Sequence, residues 1–355
     1  MQTLDLIAVG DISLARSNGR MPFEHVVRYL RTGDIVFGNL ECVLCDPGRS
    51  AQKEITFRAP PARVEYLRQA GFTIVNLANN HTLDFGPMGL TQTCSVLREQ
   101  GIPFIGVGGG NPADGHQIVE RRGVKVGFLG YGEADACKVR GDVFVNSVRR
   151  RTILDHLHYL RPRCDVLIVS LHWGLEYVRY PSPDQVELAR TLAAEGVNLV
   201  LGHHPHVVQG VERVGSSLIV YSLGSFHIRP LRGEGTRESC MLHVRINRRG
   251  IDRYRLIPVQ LDDADLPHVV RGHTRRKISR LIGEISAPIR EGRITENWWF
   301  EQAAPIYLSG HLAAWMKRIR QYGPRHFVQF VRWLVSGFTV KCYLGYLRKR
   351  VGRHG

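Results

Sequence analysis

Five apolar runs of this chain are each followed at once by side chains that bind metals or move protons. Val9-Gly10-Asp11 closes the first, Asn39-Leu40-Glu41 the second, and Asn79-Asn80-His81 follows the third. Further on, Ser170-Leu171-His172-Trp173-Gly174 and Leu201-Gly202-His203-His204-Pro205-His206 close two more. Carboxylate, amide oxygen and imidazole nitrogen form a donor set suited to Zn, Mn, Fe or Mg/Mn pairs rather than to thiolate-selected metals. Most of these pieces have a plain reading when taken singly. Asp11 after a glycine is a turn former or helix cap, Glu41 a solvated loop carboxylate, Asn79-Asn80 turn chemistry, and a lone His172 a hydrogen-bonded core residue. Three imidazoles in four residues behind an apolar strand are harder to explain as structure. In an extended segment the H-x-H spacing puts His204 and His206 on one side, where they reach one metal or two adjacent ones.

Such a set works only if the elements beneath it bring it together. Short Val/Ile/Leu-rich runs at 4–9, 35–40, 73–77, 124–130, 165–171, 197–201 and 217–223 read as buried strands. Segments of helical period at 62–70, 89–100, 152–160 and 184–195 lie between several of them. Strands alternating with helices predict a layered α/β fold, and in such sheets the carboxyl ends of the strands converge on one ligand-binding edge. After Tyr221 the runs 239–246 and 254–259 have no helix between them and suit antiparallel strands completing the same domain. From about His273 the chain reads helical and basic. The expected division is therefore a domain over 1–265 and a basic helical extension over 266–355.

A content of 43% apolar and 23% charged residues is ordinary globular composition and excludes a disordered chain. Seven cysteines, an odd number with a single CxxC pair at Cys42 and Cys45, argue against a disulfide framework and against a zinc ribbon, which needs two such pairs, and are read as mostly reduced thiols. The net charge of +16 is concentrated in the tail: between Arg271 and Gly355 there are 17 Lys+Arg against 4 Asp+Glu. Charge so localised marks an interaction surface for anionic lipid or nucleic acid and says nothing of the fold. The amino terminus has no basic segment followed by an apolar one, and no run of about 18 uncharged apolar residues occurs, so neither secretion nor a membrane span is expected.

Six motifs, in order, resemble the CapA-type poly-γ-glutamate capsule biosynthesis family. They are Gly10-Asp11-Ile-Ser-Leu14, Asn39-Leu40-Glu41, Ala78 to Gly86, His172 to Tyr177, Gly202 to Gly210 and Tyr221 to Phe226, covering roughly residues 4–260. The resemblance implies a fold similar to the calcineurin-like metallophosphoesterases: a four-layer sandwich of two β-sheets flanked by helices, with a dinuclear metal site at the strand ends. Carried over by position, it implies Asp11, Glu41, Asn80, His172, His204 and His206 as ligands of two divalent ions (Mn, Fe or Zn), with Glu41 at the bridging place. It implies His81 as the histidine that assists the leaving group. Two departures stand out. The superfamily's Asp-x-His is here Asp11-Ile12-Ser13, which removes one imidazole, and its final Gly-Asn-Phe is Gly224-Ser225-Phe226.

Two metals about 3.5–4 Å apart can bind phosphate oxygens and lower the pKa of a bridging water. His81 then serves as proton donor to a departing alkoxide, with Asp84 either orienting it or capping the helix that follows. Trp173, Glu176 and Tyr177 form a candidate substrate wall, with Ser225 a further contact. The function expected is a metal-dependent hydrolase in capsule, poly-γ-glutamate or cell-envelope polymer biosynthesis. The alternatives are a non-hydrolytic component of poly-γ-glutamate synthesis or export, and a peripheral-membrane or nucleic-acid binding protein with a vestigial site. Expected partners are the polyglutamate synthesis machinery and, for the tail, an anionic membrane surface; no nucleic-acid reader motif accompanies the charge. The expected location is cytoplasmic, with a position at the inner membrane face open to the tail. Between His311 and Arg350, Trp315, Ile319, Phe327, Phe330, Val331, Leu334, Phe338, Tyr343, Leu344 and Leu347 alternate with basic residues at helical spacing. That pattern suits a helix in an anionic lipid interface and equally a helix packed on the domain with a solvated basic face.

Overall fold

Side-chain alternation along the strand Thr3–Ile12 sets the layering of the molecule. Leu4, Leu6 and Ala8 face the core between two sheets, while Ile7 and Val9 face a second core beneath helices, as the two-residue period of a strand requires; Ile12 joins the second core out of period, past a register irregularity at Asp11. The computed structural model describes residues 2–16, 19–51, 53, 55–108, 114–133, 144–228, 236–322 and 325–351. Cys137 and the side chains of Lys317, Arg318 and Arg325 lie outside the described residues. The other six cysteines are free thiols.

The first sheet runs, in spatial order, Pro267–Val269, Gly250–Leu261, Glu238–Asn247, Thr3–Ile12, Ile35–Leu40, Ile74–Asn76 and Phe104–Ile105, with Ser225–His227 pairing beside Thr3–Ile12. The second runs Val211–Val214, Ser217–Val220, Leu199–His203, Val166–His172, Val124–Gly132 and His116–Arg121. Helices Val64–Ala70 and Gly86–Glu99 cover the outer face of the first sheet through Leu67, Leu90 and Leu97. Helices Arg150–Leu160 and Pro183–Ala194 cover the second through Ile153, Leu157, Ala189 and Leu192. The result is the four-layer α/β/β/α sandwich that the sequence leads one to expect. Inner strands are parallel, Thr3–Ile12 to Ile35–Leu40 and Val166–His172 to Leu199–His203, so their carboxyl ends meet at one edge. The late strands Glu238–Asn247 and Gly250–Leu261 are antiparallel, also as expected.

Boundaries shift where the chemistry lies. The first strand extends past Val9 to Ile12, so Asp11 sits within a strand rather than in the loop after it. Its pairing register breaks between Ala8 and Asp11 on one side and between Asp11 and Ile12 on the other, the kind of irregularity that re-aims a side chain near a site. Close backbone approach holds the edge together. A Cβ on Gly10 would lie 1.8 Å from the Gly224 carbonyl oxygen, and one on Gly202 would lie 1.8 Å from that of Tyr221.

The helix Gly272–Arg290, which the sequence alone assigns to the extension, sends Ile278, Ile282 and Ile285 into the core between the sheets. Its Ser286 hydroxyl accepts a hydrogen bond from the Val211 N–H at 2.8 Å. Beyond it, Glu296–Tyr322, Arg325–Leu334 and Gly337–Val351 form a helical group. Trp299, Phe300, Ala303, Ala304 and Cys342 of that group enclose a small core with Val178.

Candidate metal centre

Strand ends from both sheets deliver Asp11, Asn39, His172, His203 and Ser225 to one buried edge. Glu41 follows its strand by one residue and is fully buried, with both carboxylate oxygens lacking any hydrogen-bond partner. Facing its Oε1 are His172 Nε2 at 3.7 Å, His206 Nε2 at 3.7 Å and His81 Nε2 at 4.0 Å. Asp11 Oδ2 accepts from the His204 backbone N–H at 3.1 Å and lies 3.4 Å from His206 Nδ1. Its Oδ1 accepts from Asn39 Nδ2 at 2.9 Å and lies 3.4 Å from His203 Nδ1.

The second asparagine of the Asn79-Asn80 pair reaches the site and the first shapes the turn. Asn79 donates to the Leu40 carbonyl at 2.8 Å and accepts from the His81 N–H at 3.0 Å. Asn80 Oδ1 instead faces His172 Nε2 at 3.1 Å. An amide chain, Asn76 Nδ2 to Asn39 Oδ1 at 2.9 Å and Asn39 Nδ2 to His172 Nδ1 at 3.2 Å, orients the His172 ring. Because an amide NH₂ only donates, His172 accepts at Nδ1 and donates from Nε2 to Asn80.

His81 Nδ1 and Asp84 Oδ2 are 2.6 Å apart. Asp84 is fully buried, held by Lys53 Nζ at 2.7 Å and the Phe57 N–H at 2.7 Å. It does not cap the following helix, whose first turn has no side-chain cap. Of the two readings of Asp84, orientation of His81 is the one its contacts match.

Burial raises the Glu41 carboxyl well above its usual range, and the neighbouring carboxylates of Asp11, Glu176 and Asp84 add to this while His206 opposes it. Burial also opposes ionisation of Asp11, but His203 and His206 outweigh it and hold that carboxyl well below the usual range. Desolvation pushes His172 down, and His204 to about 4. His206 goes the other way: burial disfavours its cation, yet Glu41 and Asp11 raise it to about 10. Two carboxylates and several imidazoles thus crowd one dry edge, an arrangement that burial makes costly unless the charges there are compensated.

Donor atoms of Asp11, Glu41 and His172 lie within 4.8 Å of one another, and so do those of Glu41, His204 and His206. Glu41 belongs to both sets, and its unpartnered oxygens suit a bridging carboxylate. The residues present fit a pair of divalent ions on the chemistry of these donors. A further trio, His25, Asp262 and His268, lies away from this edge, with His268 Nε2 already 2.9 Å from Asp262 Oδ2.

His204 and His206 come to the same edge, but not through the extended segment that the H-x-H reading assumes. The strand ends at His203, and His204 and His206 take positive φ of 93° and 56°, as does Tyr177 at 65°. These are left-handed conformations that cost a non-glycine residue of order 1 kcal/mol or more and cluster at functional sites. The substrate wall divides. Glu176 is exposed at the rim, and the Tyr177 ring lies 6.1 Å from that of His206. Trp173 is only 1% exposed, with its indole N–H on the Tyr221 carbonyl at 3.2 Å; it belongs to the core and cannot offer a face to a substrate. Ser225 Oγ lies 3.3 Å from His206 Nδ1. Sequence reasoning names Asn39 and His203 in its motifs without giving either a role, and passes over Lys53. Asn39 carries a signal, since it shares a strand face with Glu41 two residues on, whereas nothing local marks Lys53.

The bacterial capsule synthesis protein family PGA_cap matches residues 5–229. The capsule biosynthesis protein CapA of Bacillus anthracis is 29% identical over 300 residues, 79% of this chain and 72% of its own. The PGA biosynthesis protein CapA of Bacillus subtilis (strain 168) is 27% identical over 285 residues, 76% of this chain and 74% of its own. A 5′-nucleotidase-like protein of Staphylococcus aureus, solved with alpha-ketoglutarate, matches with a TM-score of 0.50 at 12% identity, covering 79% of this chain and 58% of its own. That likeness bears on the fold alone.

Proposed function

We propose, from the premise that the chain belongs to the bacterial capsule synthesis protein family, that it is a metal-dependent hydrolase of phosphoester or related bonds in capsule, poly-γ-glutamate or cell-envelope polymer biosynthesis. The observation that carries this reading is Glu41, fully buried with two unpartnered oxygens among imidazoles from other strand ends. Asp11, Glu41 and His172 would hold one ion, and Glu41, His204 and His206 a second, with Asn80 beside the first. Bound divalent ions supply Lewis-acid polarisation of a phosphoryl oxygen and an ionised water at neutral pH. The chain supplies the rest. Asp84 fixes His81 through Nδ1 and leaves Nε2 directed toward the Glu41 side of the site, where it can hand a proton to a departing oxygen. Lys53 ties Asp84 to the Asn80 carbonyl, so the proton donor and the amide ligand move as one loop. Tyr177 and Glu176 border the entrance. Association with the polyglutamate synthesis machinery follows from the same family premise.

Ser13 favours a second reading, a non-hydrolytic component of that synthesis or its export. It stands where the resembling superfamily has an imidazole, and its hydroxyl lies 3.4 Å from the Ala15 N–H. Reconstitution with Mn followed by a phosphoester and γ-glutamyl peptide screen separates the two. His81→Ala is expected to keep its metal and lose roughly 10²- to 10⁴-fold in turnover. Wild-type turnover in that variant removes the acid role. Metal binding without turnover of any substrate in the native protein moves the assignment to the second reading.

A further inference from the structure

The C-terminal helices carry an excess of exposed hydrocarbon. Among the described residues, fourteen large hydrophobic side chains are exposed, and ten of them fall between Leu312 and Leu347. Phe327, Val331 and Val335 recur every fourth position, with 53%, 40% and 70% exposure, and so share one helical stripe. Leu344 and Leu347 continue the pattern on the next helix. A neighbouring stripe is already packed: Trp333 stacks on Phe330 at 5.8 Å, and Phe330 lies 6.1 Å from Trp315 and from Phe327, while on the next helix Thr339 and Cys342 are fully buried.

A helix merely packed on its domain shows packed hydrocarbon on one face and charge on the other. Here the packed face is present, but the second stripe is apolar as well, which is the mark of a surface that meets another apolar medium. Basic residues accompany it, with Arg332, Lys341, Arg348 and Arg350 exposed in the same helices. No helix among the described residues is long and apolar enough to cross a membrane. Charge selects among occupants: a second copy would bring a tail with the same 17 basic and 4 acidic residues against this one, and like charges at such density repel.

We propose that the helices between Glu296 and Val351 seat this protein on an anionic bilayer surface, with Phe327, Val331, Val335, Leu344 and Leu347 entering the headgroup boundary and the surrounding Arg and Lys side chains pairing with lipid phosphates. The proposal goes beyond the hydrolase reading and does not depend on it. Lipid insertion provides the apolar medium and anionic headgroups the countercharge, two contributions that act together at interfacial helices.

Flotation of the full chain with vesicles of phosphatidylcholine alone, and with about 30% phosphatidylglycerol, tests it. Binding to the anionic vesicles is expected to exceed binding to the neutral ones by at least about tenfold, and to fall at least about tenfold between roughly 50 and 500 mM salt. Phe327→Ser with Val331→Ser is expected to lower partitioning about tenfold or more while circular dichroism stays unchanged. Arg332→Gln with Arg348→Gln is expected to lower it on anionic vesicles alone. Equal binding to both lipids, no binding to either, or unchanged partitioning of the Phe327/Val331 variant overturns the proposal. Concentration-dependent self-association that vesicles do not compete away overturns it in favour of a second copy.

Discussion

At the strand-end edge Asp11, Glu41, His172 and His203 are at most 1% exposed, whereas in the C-terminal helices Val335 is 70% exposed and Leu347 57%. One region puts charge where hydrocarbon belongs, and the other puts hydrocarbon where charge belongs. Neither arrangement is favourable for a chain alone in water. A buried carboxylate without a partner carries a desolvation penalty, and exposed apolar surface forgoes about 25 cal/mol per Å². The two regions therefore make opposite chemical demands, for countercharge at the edge and for an apolar neighbour at the tail. They also differ in tolerance. The edge is built from backbone contacts with no slack, whereas Gly283 and Gly337 of the C-terminal helices have nothing within 4 Å of the place a Cβ would take, although Gly345 is packed on Phe300.

The largest effect expected from that difference concerns glycine. Gly10→Ala or Gly202→Ala places a methyl group 1.8 Å from a carbonyl oxygen of a neighbouring segment. Strands must separate to accept it, and a loss of about 3 kcal/mol or more in urea unfolding is expected. Near-native stability in both variants would mean that the edge is looser than its contacts suggest.

Metal removal comes next. Ligands that bind only the folded state stabilise it by about 4 kcal/mol at a thousand times the dissociation constant, so chelation should lower Tm markedly. Glu41→Gln should abolish the metal-dependent rise in Tm. Its metal-free form should be as stable as the metal-free parent, or more so, because the unpartnered Glu41 carboxyl is no longer there to be desolvated. Thermal scans with and without Mn check both statements, and a metal-dependent rise preserved in Glu41→Gln would dismiss the bridging role.

Protons sharpen the same comparison. His206 is raised from 6.5 to about 10 in the metal-free fold, so its protonated form contributes stability that is fully present below about 6.5 and is lost as pH rises toward 10. Ions must displace that proton, so metal affinity should strengthen by up to about tenfold per pH unit over the same window. Metal-free stability and metal affinity should therefore run in opposite directions with pH, measurable by urea titration and by calorimetry. Parallel trends would contradict the proton assignment.

The smallest effect is the mirror of the first. Gly283 lies in the helix Gly272–Arg290, exposed, with nothing within 4 Å of the place a Cβ would take. Gly283→Ala should stabilise the protein by about 0.5–1 kcal/mol through helix propensity and lost unfolded-state freedom. Destabilisation there would show that the helical region is packed as tightly as the edge.

Much of this arrangement is legible in residue order alone. Apolar runs ending in Asp, Glu, Asn and His mark both the strands and the polar groups at their ends, because an apolar run and the residue that closes it are local features of residue order. The run 35–40 matches its strand residue for residue. Other features depend on which strand lies beside which. Asn39 becomes the link between Asp11 and His172 only because their strands from two sheets end together. Trp173 has the character of a substrate wall until Gly202 and Tyr221 close over it. His204 and His206 meet through left-handed turn residues, a conformation that a two-residue spacing does not encode. The tail is the sharpest case: its apolar and basic period is visible in the sequence, but whether a stripe is covered or bare depends on the surfaces opposite it, and these are set by packing between segments far apart in the chain.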